Sequence, residues 1–348
     1  MSHNISNFEK NYTYSIVNYK KSFSSSHWNY NNNKKKNLFL YKNLKNFRRN
    51  GLSYGLDDQF YSKKETLLFL NYLIKECGKE FIYKLLDKKN IGNARQLIKI
   101  KSKSVTANEL FHIKFAYDLQ NKIALNNKNI ICEIGPGYGC LIAKLKKIFH
   151  SKIILIDLPE ANFINSYYLK SIFPKKKFFL SNDIKNNNIT KKNIYENDII
   201  ILCPWEKMPN VKIDLFINTR SMMEMDYKMI GRYFNFIQNY LKIGGHFLCA
   251  NRYYKDTVGY PIEFIKYPYD NKWEVVISKS SWFQNHIHFL LTKRLLYPTN
   301  DIDKIMIEIS SISEKLRKKD VFFWRRNLPN NVYKLYKRLK FFLKSIIE

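Results

Sequence analysis

An α/β fold, with a mostly parallel sheet covered by helices, is predicted by three observations. Ile130 to Ile134 reads as a buried strand that runs straight into the glycine turn Gly135-Pro136-Gly137-Tyr138-Gly139. Cys140 to Phe149 then has helical spacing, and a second apolar run, Ile153 to Ile156, ends in Asp157. Beyond this β-turn-α-β unit, strand-length apolar runs keep alternating with helix-length patterns, as a doubly wound sheet requires.

The glycines let the backbone pass close to a ligand without a Cβ in the way. Asp157, about 20 residues beyond the turn, is placed to accept hydrogen bonds from a ribose. The unit therefore predicts a nucleoside-containing cofactor. A dinucleotide site wants G-x-G-x-x-G, whereas the spacing here is Gly135-x-Gly137-x-Gly139, preceded by Glu133. The remaining elements follow in order. Phe178-Phe179-Leu180 is a short strand ending at Asn182-Asp183, and Ile213 to Asn218 is the next strand. From Tyr227 to Leu241, Ile230, Phe234, Ile237 and Leu241 share a helix face. Gly244-Gly245 turns the chain into a strand from His246 to Ala250. Trp273 to Ser278 and Ile287 to Thr292 form a last, antiparallel pair.

The pattern from Glu133 to Gly139 resembles motif I of the class I S-adenosylmethionine (SAM)-dependent methyltransferases. That resemblance implies a Rossmann-like fold with a seven-stranded, mostly parallel sheet whose last strand is antiparallel, and SAM as cofactor. It places Glu133, Gly135, Gly137 and Gly139 against the amino-acid part and ribose of SAM, with Asp157 and Leu158 at the ribose. Asn182 and Asp183 then face the adenine, and Asn218 lies at the cofactor end of its strand. A closer resemblance rests on Asp157-Leu158-Pro159-Glu160-Ala161, Pro204-Trp205-Glu206, Ile217 to Met225 (Ile-Asn-Thr-Arg-Ser-Met-Met-Glu-Met), Asn251-Arg252-Tyr253 and the run from Tyr267 to Val275. These segments are similar to a family of sugar O-methyltransferases of bacterial surface-polysaccharide pathways, over roughly residues 129 to 295. The acceptor this implies is a sugar, nucleotide sugar or glycan.

Methyl transfer to a sugar hydroxyl needs a base at the carboxyl ends of the strands. Glu224, after the fourth strand, is one candidate. His286 and His288, at the entry to the last strand, are two more, and their i, i+2 spacing puts them on one face. His246 lies at the far end of its strand. Arg220 and Arg252 end adjacent strands and suit a phosphate or carboxylate on the acceptor. Tyr253 and Trp205 are suited to stack on a sugar face. Only Glu224 and Asp226 offer oxygens near the fourth strand's end, so a metal-free base is expected.

The 348 residues accommodate a polar, poorly ordered stretch over 1–37, a helical cap over 38–125, a methyltransferase domain over 126–298 and a basic helical tail over 299–348. In the cap, Ser104, Thr106 or Asn108 is placed to cap the helix that carries Leu110 and Phe111. In the tail, Leu335, Leu339, Phe342, Leu343 and Ile346 share a face ringed by lysines. Such a helix suits an anionic membrane surface or packing against the domain or a partner, and the cap offers a dimer surface. The five scattered cysteines form no C-x-x-C pair, no apolar run is long enough to span a bilayer, and Met1 to Tyr19 lacks a signal hydrophobic region. A reduced, cytoplasmic protein fits.

Lys and Arg number 60 against 29 Asp and Glu, a net charge of +31. This charge has two readings, nucleic-acid binding or a Lys- and Asn-rich composition spread evenly along the chain. Two alternative functions follow: an RNA methyltransferase, or a SAM-binding scaffold without turnover. Against the first, Asn218-Thr219-Arg220-Ser221 stands where base N-methylation would place Asp/Asn-Pro-Pro-Tyr.

Overall fold

The computed structural model describes residues 2–52, 61–186, 188–256, 258–281 and 286–319. The N-terminal part forms α1 (Ser2–Val17), α2 (Ser26–Lys35), α3 (Tyr41–Leu44), α4 (Lys63–Cys77) and α5 (Lys79–Leu85). A hairpin follows, β1 (Leu97–Ile100) and β2 (Lys103–Thr106), and then α6 (Ala107–Gln120). The hairpin interrupts a region expected to be mostly helical. Thr106 is the residue that caps α6, its Oγ1 accepting from Glu109 N at 3.3 Å.

The sheet-forming part begins with β3 (Ile130–Ile134), α7 (Cys140–Phe149), β4 (Lys152–Ile156), α8 (Pro159–Ile172), β5 (Phe178–Leu180), α9 (Lys191–Glu196), β6 (Ile199–Leu202) and β7 (Ile213–Thr219). It continues with α10 (Tyr227–Tyr240), β8 (Leu241–Arg252), a small hairpin of β9 (Tyr254–Asp256) and β10 (Pro261–Glu263), β11 (Trp273–Ser280), β12 (Ile287–Arg294) and α11 (Asp301–Lys319). One sheet of order β11-β12-β8-β7-β3-β4-β6-β5 holds eight strands. Only β12 runs against its neighbours in that sheet. This is the expected Rossmann-like α/β architecture, with one strand more than seven among the described residues.

The added strand is β6, which lies between β4 and β5. Its four residues, Ile-Ile-Ile-Leu, are buried on both faces and so carry no alternation to read. As a result Phe178–Leu180 forms the sheet edge and not the neighbour of β4. Gly244-Gly245, expected as a turn, lies within the longer β8 ladder, next to a register shift between Ile213 and Leu215.

Alternate strand residues feed two cores. Ile131, Ile153, Leu155, Ile199, Leu215 and Leu248 face the layer that contains α6, α7 and α8. Cys132, Ile154, Ile156, Ile200, Phe216 and Phe247 face the layer of α10 and α11. Helix α11 lies on β11 with Ile302 and Ile309 buried. The helix expected over residues 332–347 lies outside the described residues.

The stretch expected to be poorly ordered is helical. Ser25 caps α2 by accepting from Trp28 N. On α1, Tyr12 stacks on Phe163 of α8 at 4.9 Å between ring centres. Asn11 Oδ1 accepts from Asn182 N at 3.0 Å, and Asn7 Oδ1 accepts from Asn182 Nδ2 at 2.9 Å. Asparagines of a stretch that read as polar and poorly ordered thus serve as specific amide partners.

The helical half is locked to the sheet half by a buried charge network. Lys144 on α7 is fully buried; its Nζ meets Asp87 at 2.8 Å and Glu109 at 2.5 Å. Lys147 Nζ lies 3.0 Å from Asp87, and Tyr168 Oη donates to Asp87 at 2.5 Å. Burial alone would raise the Asp87 pKa, but Lys144 and Lys147 outweigh it and hold the carboxyl below its ordinary range. Burial likewise opposes the Lys144 charge, and Asp87 and Glu109 keep it protonated. Removing one member leaves uncompensated buried charge. Lys144→Met is therefore expected to lower the unfolding free energy by about 3–5 kcal/mol in a denaturant titration. Lys192→Met, which breaks only the exposed pair with Glu196, should cost about 0.5 kcal/mol or less.

Candidate functional site

A cavity of about 610 Å³ opens at the carboxyl ends of β3, β4, β6, β7 and β8, within the size range of small-molecule sites. Its floor is the glycine turn. Gly135 has φ +67°, and a Cβ there would meet Ser221 Oγ at 1.9 Å, so only glycine fits. Gly137 N donates to Asp157 Oδ2 at 3.2 Å, and Leu158 N donates to Asp157 Oδ1 at 2.8 Å. These two bonds fix the carboxylate at the cavity wall.

The segment after β7 is held by two asparagines. Asn218 Nδ2 donates to Ile134 O at 2.8 Å, while its Oδ1 accepts from Met222 N at 3.0 Å and Asn251 Nδ2 at 2.9 Å. Asn251 Oδ1 accepts from Met223 N at 3.3 Å. Asn218, expected at the cofactor, instead stitches β3, β7 and β8 together. Arg220 has φ +58°, which turns its side chain toward α6. There Arg220 NH2 donates to Asn108 Oδ1 at 2.9 Å and lies 3.2 Å from His112 Nε2. Burial and the adjacent guanidinium hold the His112 pKa well down, so the ring is neutral and Nε2 accepts. Asn108 Nδ2 in turn donates to Tyr138 Oη at 3.0 Å.

Of the expected site residues, Gly135, Gly137, Asp157, Leu158, Arg220, Glu224, Arg252 and His286 line this cavity. Glu224 forms an ion pair with Lys255, itself a lining residue. Gly139 is the N-cap of α7 at the end of the turn. Glu133 is buried just ahead of the turn, and its Oε2 has no hydrogen-bond partner among the described residues.

Besides Asn218, five expected residues lie elsewhere. Asn182 and Asp183 are one strand farther out, because β6 intervenes; Asn182 is taken by α1, and Asp183 Oδ2 accepts from Leu180 N at 2.8 Å. His288 and Tyr253 are buried against each other. Tyr253 Oη lies 3.0 Å from His288 Nδ1 and 2.6 Å from Ser280 Oγ, and His288 Nε2 lies 3.0 Å from Ser278 Oγ. Burial pushes His288 down to about 4. The shared face expected for His286 and His288 fails because the strand begins only at Ile287. Trp205 packs edge-on with Tyr19 and Phe23 and does not line the cavity.

Sequence reasoning missed the roof and one wall. Phe23, Ser25, Trp28 and Lys35, at and within α2, cover the cavity, and Asn108, His112, Pro204 and Lys255 complete it. Arg232 NH1 donates to Ser22 O at 2.7 Å and ties the roof to α10. The hydrogen-bonding residue types at positions 108 and 112, four apart and so on one face of α6, were the available signal for the wall. Among the described residues, no three His, Cys, Asp or Glu side chains converge to hold a metal ion, and no helix is long and apolar enough to cross a membrane. All five cysteines are free and buried.

No family model matches the chain, and no curated protein matches it. Solved structures do. The geranyl diphosphate C-methyltransferase of Streptomyces coelicolor A3(2), solved with Mg²⁺ and S-adenosylhomocysteine, aligns at 12% identity and TM-score 0.37, over 52% of this chain and 76% of that one. Mitomycin 7-O-methyltransferase aligns at 14% and 0.35, over 54% and 57%. An rRNA methylase of Streptococcus thermophilus aligns at 12% and 0.34, over 52% and 95%. Likenesses of this degree concern the fold alone.

Burial raises four carboxyls in and around the site. Asp157, Glu160 and Glu206 are pushed up to about 7, and Glu133 to about 8. Between about pH 6.5 and about pH 8 the folded protein therefore holds protons that the unfolded chain has released, and stability falls as pH rises; below that window the depressed His112 and His288 act in the opposite sense. The melting temperature of the ligand-free protein is expected to decline across that window at constant ionic strength. The decline should be smaller in Glu133→Gln, which has no proton to lose. A melting temperature that climbs with pH, equally in both proteins, would contradict the buried placement of these groups.

Proposed function

We propose that the chain is a SAM-dependent O-methyltransferase that acts on a sugar hydroxyl in surface-polysaccharide or other glycan synthesis. The observation that carries this reading is the continuity of the cavity. One wall is the glycine turn with Asp157; the other carries Glu224, Lys255, Arg252 and His286.

The residues present fit the cofactor. Asp157 offers its remaining acceptor positions to a ribose diol. The backbone of Gly135 and Gly137 leaves room for the amino-acid portion. Leu158 and Pro204 supply apolar surface for a base, and Glu133 adds a buried carboxyl behind the turn, which burial keeps protonated at neutral pH. When bound, SAM supplies an electrophilic methyl group on a sulfonium. The protein must supply a base, an oriented acceptor and exclusion of water. His286 takes the proton of the attacking hydroxyl. Glu224, fixed by Lys255, accepts from a neighbouring hydroxyl and sets the ring's orientation. Arg252, Lys255 and Lys35 favour an acceptor that bears phosphate or carboxylate, such as a sugar nucleotide or uronic acid. Phe23 and Trp28 form the roof that keeps bulk water out.

The test is calorimetric titration with S-adenosylhomocysteine, with NAD alongside. Micromolar binding of the first alone, lost in Asp157→Ala, is expected; preference for NAD, or no binding, overturns the reading. In a methyl-transfer assay on a panel of sugar nucleotides, His286→Ala should lower kcat by about 10²- to 10⁴-fold. Glu224→Gln should act chiefly on KM.

A further inference from the structure

Glu160 is the second residue of α8, after Pro159. It lines the cavity, yet the residue is only 9% exposed, and its Oε2 has no hydrogen-bond partner among the described residues. Glu133 shares this feature, but three other buried carboxyls are satisfied from within. Glu206 Oε2 accepts from Cys203 N and Ser181 Oγ, each at 2.9 Å, and Asp87 and Glu109 are paired with Lys144. A carboxyl oxygen left bare inside a protein is costly. The start of a helix favours an acid, but that alone does not require burial in a cavity wall.

The surroundings of Glu160 define what it would meet. Asp157, three residues earlier, already serves the sugar position. Beyond it the wall turns apolar at Leu158, Ala161, Ile164 and Pro204, the surface that a flat heterocycle needs. The residues expected to read that heterocycle, Asn182 and Asp183, are displaced by β6 and taken by other partners. An ionised carboxylate accepts hydrogen bonds and donates none.

We propose that Glu160 reads the base of the cofactor, its carboxylate turning toward the cavity to accept a hydrogen bond from the exocyclic 6-amino group of adenine. The assignment rests on the SAM reading above. A purine with oxygen at position 6 presents an acceptor there and is rejected, since the buried carboxylate would stay unpaired.

The experiment compares S-adenosylhomocysteine with S-inosylhomocysteine by calorimetry at about pH 8, where the carboxyl, raised only to about 7, is ionised. Wild type should prefer the adenine compound by about tenfold to a hundredfold. In Glu160→Gln the amide can turn its N–H₂ to the 6-oxo group, so the preference should shrink to about twofold or reverse. Glu160→Ala, a second variant read by the same ratio, should also lose it. If wild type binds the adenine compound and both variants keep the wild-type ratio, Glu160 merely packs at the helix start and the proposal falls by itself. If wild type binds neither compound, the cofactor reading falls and takes the proposal with it.

Discussion

The buried ammonium of Lys144 is the point on which the two halves of this molecule meet. It belongs to the helix that follows the glycine turn, yet both of its counterions, Asp87 and Glu109, come from the N-terminal half. Tyr168 extends the network to the next helix of the sheet layer. Buried charge contributes little net stability against a well-packed apolar alternative, but it tolerates few arrangements of the groups around it. Helix α6 is therefore held in one place relative to α7, and the glycine turn sits at the end of α7.

That placement reaches the site through short steps. Glu109 fixes α6 at Lys144, and its sequence neighbour Asn108 bridges Tyr138 of the turn and Arg220 after β7. From the opposite side, Asn218 and Asn251 tie the same turn and segment to the strand ends. The cavity wall is thus framed by hydrogen bonds from both directions. The left-handed backbone at Arg220 is affordable because these bonds leave the segment no other course.

The elements that were legible in the sequence are those with a local pattern. The strand, turn and helix around Gly135 and the helical periodicity of α10 appear where expected, and Asp157 lines the cavity. Other features depend on what comes near in space. The uniform run of β6 has no period to betray its place in the sheet order, and its insertion displaced Asn182 and Asp183. Spacing put His286 and His288 together, but the strand starts between them and sends one to the cavity and the other into the core. The polar N-terminus was unreadable for a related reason. Its asparagines and aromatics find their partners on α8, on Asn182 and on Trp205, far along the chain.

The roof has a consequence for how the molecule is made. Residues 22–35 leave the ribosome before Arg232, which anchors Ser22 from some two hundred residues farther along the chain. Contacts of such sequence separation form late, because loop closure must come before their gain. The growing chain can therefore assemble α6, the turn and the first strands around Lys144 while the cavity stays uncovered. Closure waits for synthesis of α10, and the wall that bears Arg252, Lys255 and His286 follows it in the chain, so the chamber takes shape only after its roof has a place to anchor.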